Sequence, residues 1–366
     1  MGSILLSVFV LCAITGGLTI LLLVAESYFR DYGECEILVN EGTRKFTVKG
    51  GASLLSTLGE QKLFLPSGCG GRGTCGICKC RVLEGGGPVL PTETPYLTPA
   101  DLQNNTRLSC QIRVRERTKI AIPEELLSIR EYWAPLARLT DLTHDIKGLR
   151  FELPEGETVS FKAGQYFNLV APPYEEITSP NPRAYSTSSA PSDKNALEFV
   201  IRLVPSGIVT TYVFNHLKVQ EKVQLIGPFG EFYLRNTDRE IICIAGGSGL
   251  APIRSIILDM IDRNITHRKC TFFFGAVRTK DLYYVDEFKA IEQKHPWFKF
   301  VPALSGPETD HPYERGLITD VVGKHYENLE SHEAYLCGSP GMINACVTML
   351  TKKGLPENLV YFDKFS

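Results

Sequence analysis

Between Cys69 and Cys78 the chain reads CGGRGTCGIC, three thiols at spacing C-x5-C-x2-C in a loop that is otherwise mostly glycine, and a fourth thiol, Cys110, follows in RLSCQ. Four thiolates, three of them close together and one distant, are the ligand set of a [2Fe–2S] cluster. The glycines lack a Cβ, so the loop can bring its backbone N–H groups close to cluster sulfurs. Cys69, Cys75, Cys78 and Cys110 are therefore the expected metal ligands, and single-electron transfer the expected chemistry. Two other uses of four thiols fit less well. A structural zinc site prefers two short-spaced pairs, and Cys110 has no such partner nearby. Disulfides need an oxidising compartment, whereas the later motifs of this chain call for a nucleotide of the reducing one. Cys80 lies outside the pattern and, by strand alternation, is expected on the same side as Cys78 without being a ligand. Cys12, Cys35, Cys243, Cys270 and Cys346 read as small buried hydrophobes.

A chain of 366 residues suggests roughly two or three domains beyond any anchor. Its net charge of −2 and the lack of a basic run exclude a nucleic-acid footprint. From Ile4 to Ala25 the sequence carries no charge. A helix of that length reaches roughly 33 Å, enough for the hydrocarbon core. Residues 1–30 thus read as a single transmembrane anchor. A cleaved signal peptide is the rival, but Met1-Gly2-Ser3 holds no Lys or Arg and the apolar stretch exceeds a usual signal core. Leu6 stands where myristoylation needs Ser or Thr. Arg30, just after the apolar stretch, places the body of the protein in the cytoplasm by the positive-inside rule, anchored in the inner membrane. Ala13 and Gly17 form a small-xxx-small pair that lets another helix come close.

Residues 31–128 form the first soluble domain in this reading. CEILVN and RKFTVKG alternate like paired strands around Asn40-Glu41-Gly42, SLLSTLGEQ is a short amphipathic helix, and Pro123 in IAIPEELL marks the boundary. That is an α+β ferredoxin of the β-grasp kind.

The anchor, the CGGRGTCGIC loop, KCRVLEGGG, LPTE and LSCQ together resemble the F subunit of the sodium-translocating NADH:quinone reductase, and the resemblance runs to the C-terminus. Oxygenase reductases share the soluble modules, but they usually lack the anchor and more often carry one residue fewer between the first two cysteines.

Residues 129–236 carry strand-like runs separated by Gly and Pro, as in a small antiparallel barrel. RAYS sets Arg183, Tyr185 and Ser186 on one stretch, suited to a flavin diphosphate, the ring face and the N5 edge. The plain alternative is an ordinary barrel strand with a surface arginine. SGIVTTYVFNHL adds Gly207, Thr210 and Thr211 at a helix N-terminus that can receive a phosphate. The resemblance implies that Arg183, Tyr185, Ser186 and Thr210 belong to an FAD site.

Residues 237–366 alternate strand and helix, the mark of a parallel α/β sheet. Gly246, Gly247 and Gly249 form a tight turn that lets backbone approach a pyrophosphate, although the pattern is not a strict G-x-G-x-x-G. Arg278, near the end of the next strand, suits a ribose or a 2′-phosphate, which leaves NADH and NADPH open. Cys337 and Gly338 end a later strand in CGSPG, where the resemblance places a cysteine at the nicotinamide. The resemblance also implies a C-terminal acidic residue and an aromatic near the flavin ring. Phe365 and Phe362 both suit the aromatic's place.

The modules describe a path from NADH to FAD to [2Fe–2S], with Ser186 and Cys337 at the catalytic centre. The expected acceptor lies in membrane subunits of a sodium-translocating NADH:quinone reductase, with quinone reached through those partners. An anchored reductase feeding an oxygenase or hydroxylase is the alternative. A non-catalytic assembly or redox-sensing component is a third, for which intact nucleotide sites would be superfluous. Between Val170 and Arg183 the chain is short where F subunits typically carry a long insertion. Nothing in it resembles an ion pathway, so sodium transport would belong to partners.

Overall fold

The computed structural model describes residues 2–29 and 32–365, so Arg30 and the sidedness argument built on it lie outside the described residues. The chain divides into two compact units, Met1–Ser128 and Ile129–Ser366.

α1 (Gly2–Phe29) is one continuous helix. Its window Leu6–Leu23 is long and apolar enough to cross a membrane, and none of that window is buried by protein. Thr15 and Thr19 donate their hydroxyls to the carbonyls of Leu11 (2.9 Å) and Thr15 (2.8 Å), satisfying polar groups that hydrocarbon would leave unsolvated. Cys12 sits on this helix and is exposed, against the expectation of burial, because none of the described residues covers it.

The rest of the first unit is a mixed sheet. β1 (Glu34–Val39) and β2 (Arg44–Lys49) form an antiparallel hairpin, followed by α2 (Leu54–Glu60), β3 (Lys79–Glu84), α3 (Pro99–Gln103), β4 (Thr106–Leu108) and β5 (Thr118–Ala121), in the order β2-β1-β5-β3-β4. Only β1 and β5 run parallel. Ser53 caps α2, accepting from the Ser56 N–H, and Leu54 and Leu58 bury completely against Ile37, Val39 and Ile120. Cys80 points into this same core with Cys35 and Val82, whereas Cys78 packs with Leu97, Leu108 and Cys110. The two cysteines thus part company. β3 begins only at Lys79, so strand alternation does not extend back to Cys78.

In the second unit β6 (Arg130–Asp141), β7 (Ile146–Glu152), β8 (Tyr166–Ala171), β9 (Asn181–Ser186), β10 (Ala196–Arg202) and β11 (Lys222–Phe229) pair antiparallel in the order β10-β7-β6-β11-β8-β9, with α4 (Ile208–Asn215) before β11. The two edges meet at a Thr187–Phe199 bridge, so the sheet curls into a half-barrel. Phe151, Phe167 and Phe199 fill it edge to face. The short β8–β9 connection closes through a tight Tyr174–Ile177 pairing, and the Tyr174 hydroxyl donates to the Ile208 carbonyl at 2.5 Å.

β12 (Glu240–Gly246), α5 (Leu250–Asp262), β13 (Cys270–Ala276), α6 (Val285–Lys294), β14 (Phe298–Leu304), β15 (Glu314–Arg315), α7 (Ile318–His325), β16 (His332–Gly338), α8 (Pro340–Lys352) and β17 (Val360–Lys364) complete the unit. The strands are all parallel, in the order β15-β14-β13-β12-β16-β17. The chain moves outward from β12 to β15 and then returns on the other side, so strand order reverses between β12 and β16. Open α/β sheets bind ligands at such a point, beyond the carboxyl ends of the strands. Arg254 of α5 ties this lobe to the half-barrel, donating to Glu198 (2.9 Å), the Ser188 carbonyl (2.8 Å) and Glu287 (2.8 Å).

Candidate functional site

The four thiols fall into two pairs. Cys75 Sγ lies 3.3 Å from Cys69 Sγ, and Cys78 packs against Cys110. Among the described residues no three His, Cys, Asp or Glu side chains gather as a single ion would require. Two thiol pairs suit two irons, each with two protein ligands, and do not suit one tetrahedral zinc. The Cys75 thiol and, less strongly, the N–H groups of Thr74 and Arg72 draw Cys69 down to about 3. Hydrogen bonding from Cys78 lowers Cys110 to about 7, with Gln111 adding to it. Cys75 and Cys78 are pushed up, by their thiol partners first and by burial second. The buried Ser109 hydroxyl has no hydrogen-bond partner of ordinary geometry and faces the Cys78 thiol. Donors aimed at sulfur fit an iron–sulfur cluster.

The loop is braced from behind. Arg107, on β4, donates to the buried Glu93 carboxylate and to the carbonyls of Gly87 and Pro88, both at 2.8 Å. Glu93 also accepts the N–H of Leu108 at 2.9 Å, two residues before Cys110. Every polar atom of this buried pair thus has a role, the condition under which such a pair is tolerated.

In the second unit the proposed flavin residues lie on β9 and around α4. Arg183 and Tyr185 share one face of β9, and Ser186 at its end reaches Asp363 Oδ2 on β17 at 3.4 Å. Burial pushes both the Tyr185 hydroxyl and the Asp363 carboxyl up. Cys337 lies directly opposite Asp363 in the β16–β17 register; it is fully buried, and burial first, then the Asp363 charge, push its thiol up. Asp363 is a candidate site residue that sequence reasoning left unnamed, although YFDKFS contains a single acid. Phe365 packs against the core that holds Cys337 and donates its N–H to the Gly338 carbonyl at 2.9 Å. Phe362 is 45% exposed, beneath the Lys364 ammonium.

Among the described residues no side chain caps α4, so its first-turn N–H groups face outward from Gly207. A Cβ on Gly207 would fall 2.6 Å from Thr210 Oγ1, so only glycine fits the turn. The Thr210 hydroxyl is engaged with the Val204 N–H and the carbonyls of Val204 and Gly207, all at 3.2 Å, and thereby shapes the helix start, while Thr211 is half-buried beside it.

Gly246 and Gly247 lead from β12 to Gly249, where a Cβ would lie 2.2 Å from the Cys337 carbonyl oxygen. Glycine is what lets the turn press against the end of β16. Beside it opens a cleft of about 600 Å³ lined by His144, Arg202, Gly247, Arg278, Ser339 and Met342 among others. Its size and backbone cradle suit a dinucleotide. Arg202 comes from β10 of the half-barrel and is held by Asp145 at 2.7 Å, a contribution the sequence did not reveal. Arg278 donates its N–H to Asp281 at 3.0 Å, and the neighbouring Thr279 gives its N–H (2.8 Å) and hydroxyl (2.7 Å) to Glu308.

Comparison with known proteins matches three family models in order along the chain: a 2Fe-2S iron-sulfur cluster binding domain over residues 37–115, an oxidoreductase FAD-binding domain over 134–233 and an oxidoreductase NAD-binding domain over 243–348. The F subunit of the Na(+)-translocating NADH-quinone reductase of Methylococcus capsulatus is 34% identical, with 100% of both chains covered. That of Pseudomonas aeruginosa is 34% identical over 99% of this chain and 98% of its own. Among solved structures, an Amycolatopsis cytochrome P450 reductase superposes with a TM-score of 0.73 at 27% identity, covering 90% of this chain and 98% of that one. A ferredoxin reductase in carbazole 1,9a-dioxygenase gives 0.69 at 26% identity over 91% and 99%. The alignment with the Methylococcus protein runs over 409 positions. This chain has 366 residues, so that relative carries segments without a counterpart here.

Proposed function

The chain belongs to the family of F subunits of the Na(+)-translocating NADH-quinone reductase, and from that premise we propose that it is the NADH-oxidising subunit that delivers electrons to a membrane partner. The observation that carries this reading is the meeting of three strands from two lobes. Ser186 of β9, Cys337 of β16 and Asp363 of β17 lie together at the switch point of the parallel sheet. A flavin edge and a nicotinamide have to meet at such a place.

We assign residues 129–236 to FAD and 237–366 to NADH. Arg183 and the α4 N-terminus at Gly207, Thr210 and Thr211 hold the flavin diphosphate, Tyr185 covers the ring, and Ser186 reaches its N5 edge. Gly246, Gly247 and Gly249 cradle the NADH pyrophosphate, Arg278 meets the ribose, and Cys337 with Gly338 shapes the nicotinamide place. Phe365, packed beside Gly338, takes the aromatic's role, and Asp363, its carboxyl pushed up by burial, lies within hydrogen-bond reach of Ser186. Cys69 with Cys75 and Cys78 with Cys110 each hold one iron. When bound, FAD takes two electrons from NADH and returns them singly to the [2Fe–2S] centre; the protein fixes distance, orientation and potential.

α1 anchors the subunit among membrane partners, with both soluble units on the cytoplasmic side where NADH is found, and quinone is reached through those partners. A second reading, an anchored reductase serving an oxygenase, draws on the likeness to the two oxygenase-system reductases. That likeness leaves about a tenth of the chain without a counterpart, whereas the F subunits match it from end to end.

Anaerobic titration of the detergent-solubilised full chain with NADH tests the electron path. Flavin absorbance should bleach and a reduced-cluster spin signal should rise. Bleaching without a spin signal would sink the proposal. Copurification from native membranes separates the acceptors: multi-spanning subunits support the complex, and a soluble oxygenase component supports the second reading.

A further inference from the structure

We propose that Gln111 raises the reduction potential of the iron–sulfur centre by donating a side-chain N–H to the Cys110 sulfur, in an orientation that Thr92 imposes and Gly73 makes room for. This rests on the reading of Cys110 as a cluster ligand. Gln111 Nε2 lies 3.5 Å from Cys110 Sγ. At the other end of the amide, Gln111 Oε1 accepts the Thr92 hydroxyl at 2.8 Å. A ligating thiolate has no proton to give, so the amide end that faces it must be the donor, and the Thr92 hydroxyl satisfies the end that remains.

Room for the amide comes from the loop. Gly73 has φ +76°, and a Cβ there would fall 2.6 Å from Gln111 Nε2 and 3.0 Å from its Cδ. Any other residue at 73 would both strain the backbone and displace the donor. Thr92 is itself held in place, because the adjacent Glu93 is anchored on Arg107 and on the Leu108 N–H. Gly73 of the cysteine loop and Thr92 of LPTE thus converge on the side-chain amide of Gln111 in LSCQ.

Reduction adds negative charge that the sulfurs share. A hydrogen bond to a ligand sulfur stabilises the reduced state more than the oxidised one, so the donor lifts the potential. Thr92 acts only through Gln111 and is a positioning residue.

The test is a redox titration of the full-length, cluster- and flavin-loaded chain, followed by the cluster spin signal. Gln111→Met keeps the length and removes the N–H. The cluster midpoint should fall, such that the reduced-to-oxidised ratio at a fixed poise drops about tenfold, about 59 mV for a one-electron centre. Thr92→Val should shift it in the same direction by less. The double variant should fall no further than Gln111→Met alone, because one interaction is being removed twice. Flavin potentials should not move. An unchanged midpoint in Gln111→Met, or Thr92→Val and Gln111→Met effects that add in full, would overturn the proposal. A parent protein without iron or spin signal would overturn the ligand reading, and this inference with it. If Gln111→Met does not retain its cluster, the parent protein labelled with ¹⁵N at the glutamine side chains decides. A hyperfine coupling to the reduced centre that Thr92→Val weakens supports the bond, and its absence refutes it.

Discussion

The cysteine loop and the strand-end cluster around Ser186 solve the same problem by opposite means. In the reading proposed above, the first site holds its group mostly with one loop, joined by Cys110 and Gln111 from further along the same domain: two thiol pairs, backbone N–H groups of Arg72 and Thr74, and the Gln111 amide. The second site borrows one group from each of three distant strands, and its one direct side-chain contact, Ser186 to Asp363, spans 177 positions. A local site depends on ligand identity. A site assembled from afar depends on the sheets that bring it together, so a single substitution there should weaken function without erasing it.

The largest effect should come from the loop. Cys78 is buried, packs against Cys110 and has no substitute in Cys80, which points into a different core. Cys78→Ser should abolish the cluster spin signal and deplete iron while FAD content and NADH-dependent flavin bleaching persist. Retention of a normal spin signal would mean that the ligand set is wrong. Loss of flavin bleaching as well would mean that the two sites are not separable, and the contrast between them would fail.

At the assembled site the expected loss is partial. Asp363→Asn keeps the shape but leaves nothing to exchange a proton beside Ser186, and the rate of flavin reduction by NADH should fall about a hundredfold, within the range for a positioned acid or base. The same variant has a signature in stability. Burial raises the Asp363 carboxyl above its ordinary 3.8, so the folded state favours the proton. That contribution is complete below the unfolded value and is lost as pH rises through the folded one. Asp363→Asn should therefore flatten the decline of the thermal midpoint with rising pH while slowing the reaction. A steeper decline would reverse the assigned sign.

This contrast also explains what could be read from the sequence. The proposed metal ligands were legible because the chemistry demands cysteine and three of the four lie within one loop. The parallel sheet and the half-barrel were legible from the switch between alternating strands and strand–helix repeats. Asp363 and Arg202 were not, because each acquires its meaning from a neighbour in another lobe: Asp363 from Ser186, and Arg202 from the glycine turn across the cleft. Gln111 stood in a motif, yet its meaning needs the Thr92 hydroxyl that turns its amide. The position of Cys80 was misjudged for a similar reason, since where β3 begins is settled by its pairing with β4 and β5 rather than by the residues before it.

The smallest effect concerns the choice of nucleotide, which Arg278 alone leaves open. Arginine at such a place is drawn to a 2′-phosphate, but the Glu308 carboxylate stands beside it. That carboxylate is fixed by two hydrogen bonds from Thr279 and stays ionised, its proton affinity lowered by the Thr279 N–H first and by the Thr279 hydroxyl next. It offsets the Arg278 charge and would repel a phosphate while accepting a ribose hydroxyl, a combination that favours NADH. Glu308 is solvent-facing, so water and salt screen the repulsion and its effect on binding is small. Glu308→Gln should thus narrow the ratio of kcat/KM for NADH over NADPH by about fivefold at most, mostly through the KM for NADPH, with flavin and cluster content unchanged. An unaltered ratio would show that the Thr279–Glu308 contact serves only to close the loop after β13, and that discrimination lies elsewhere in the cleft.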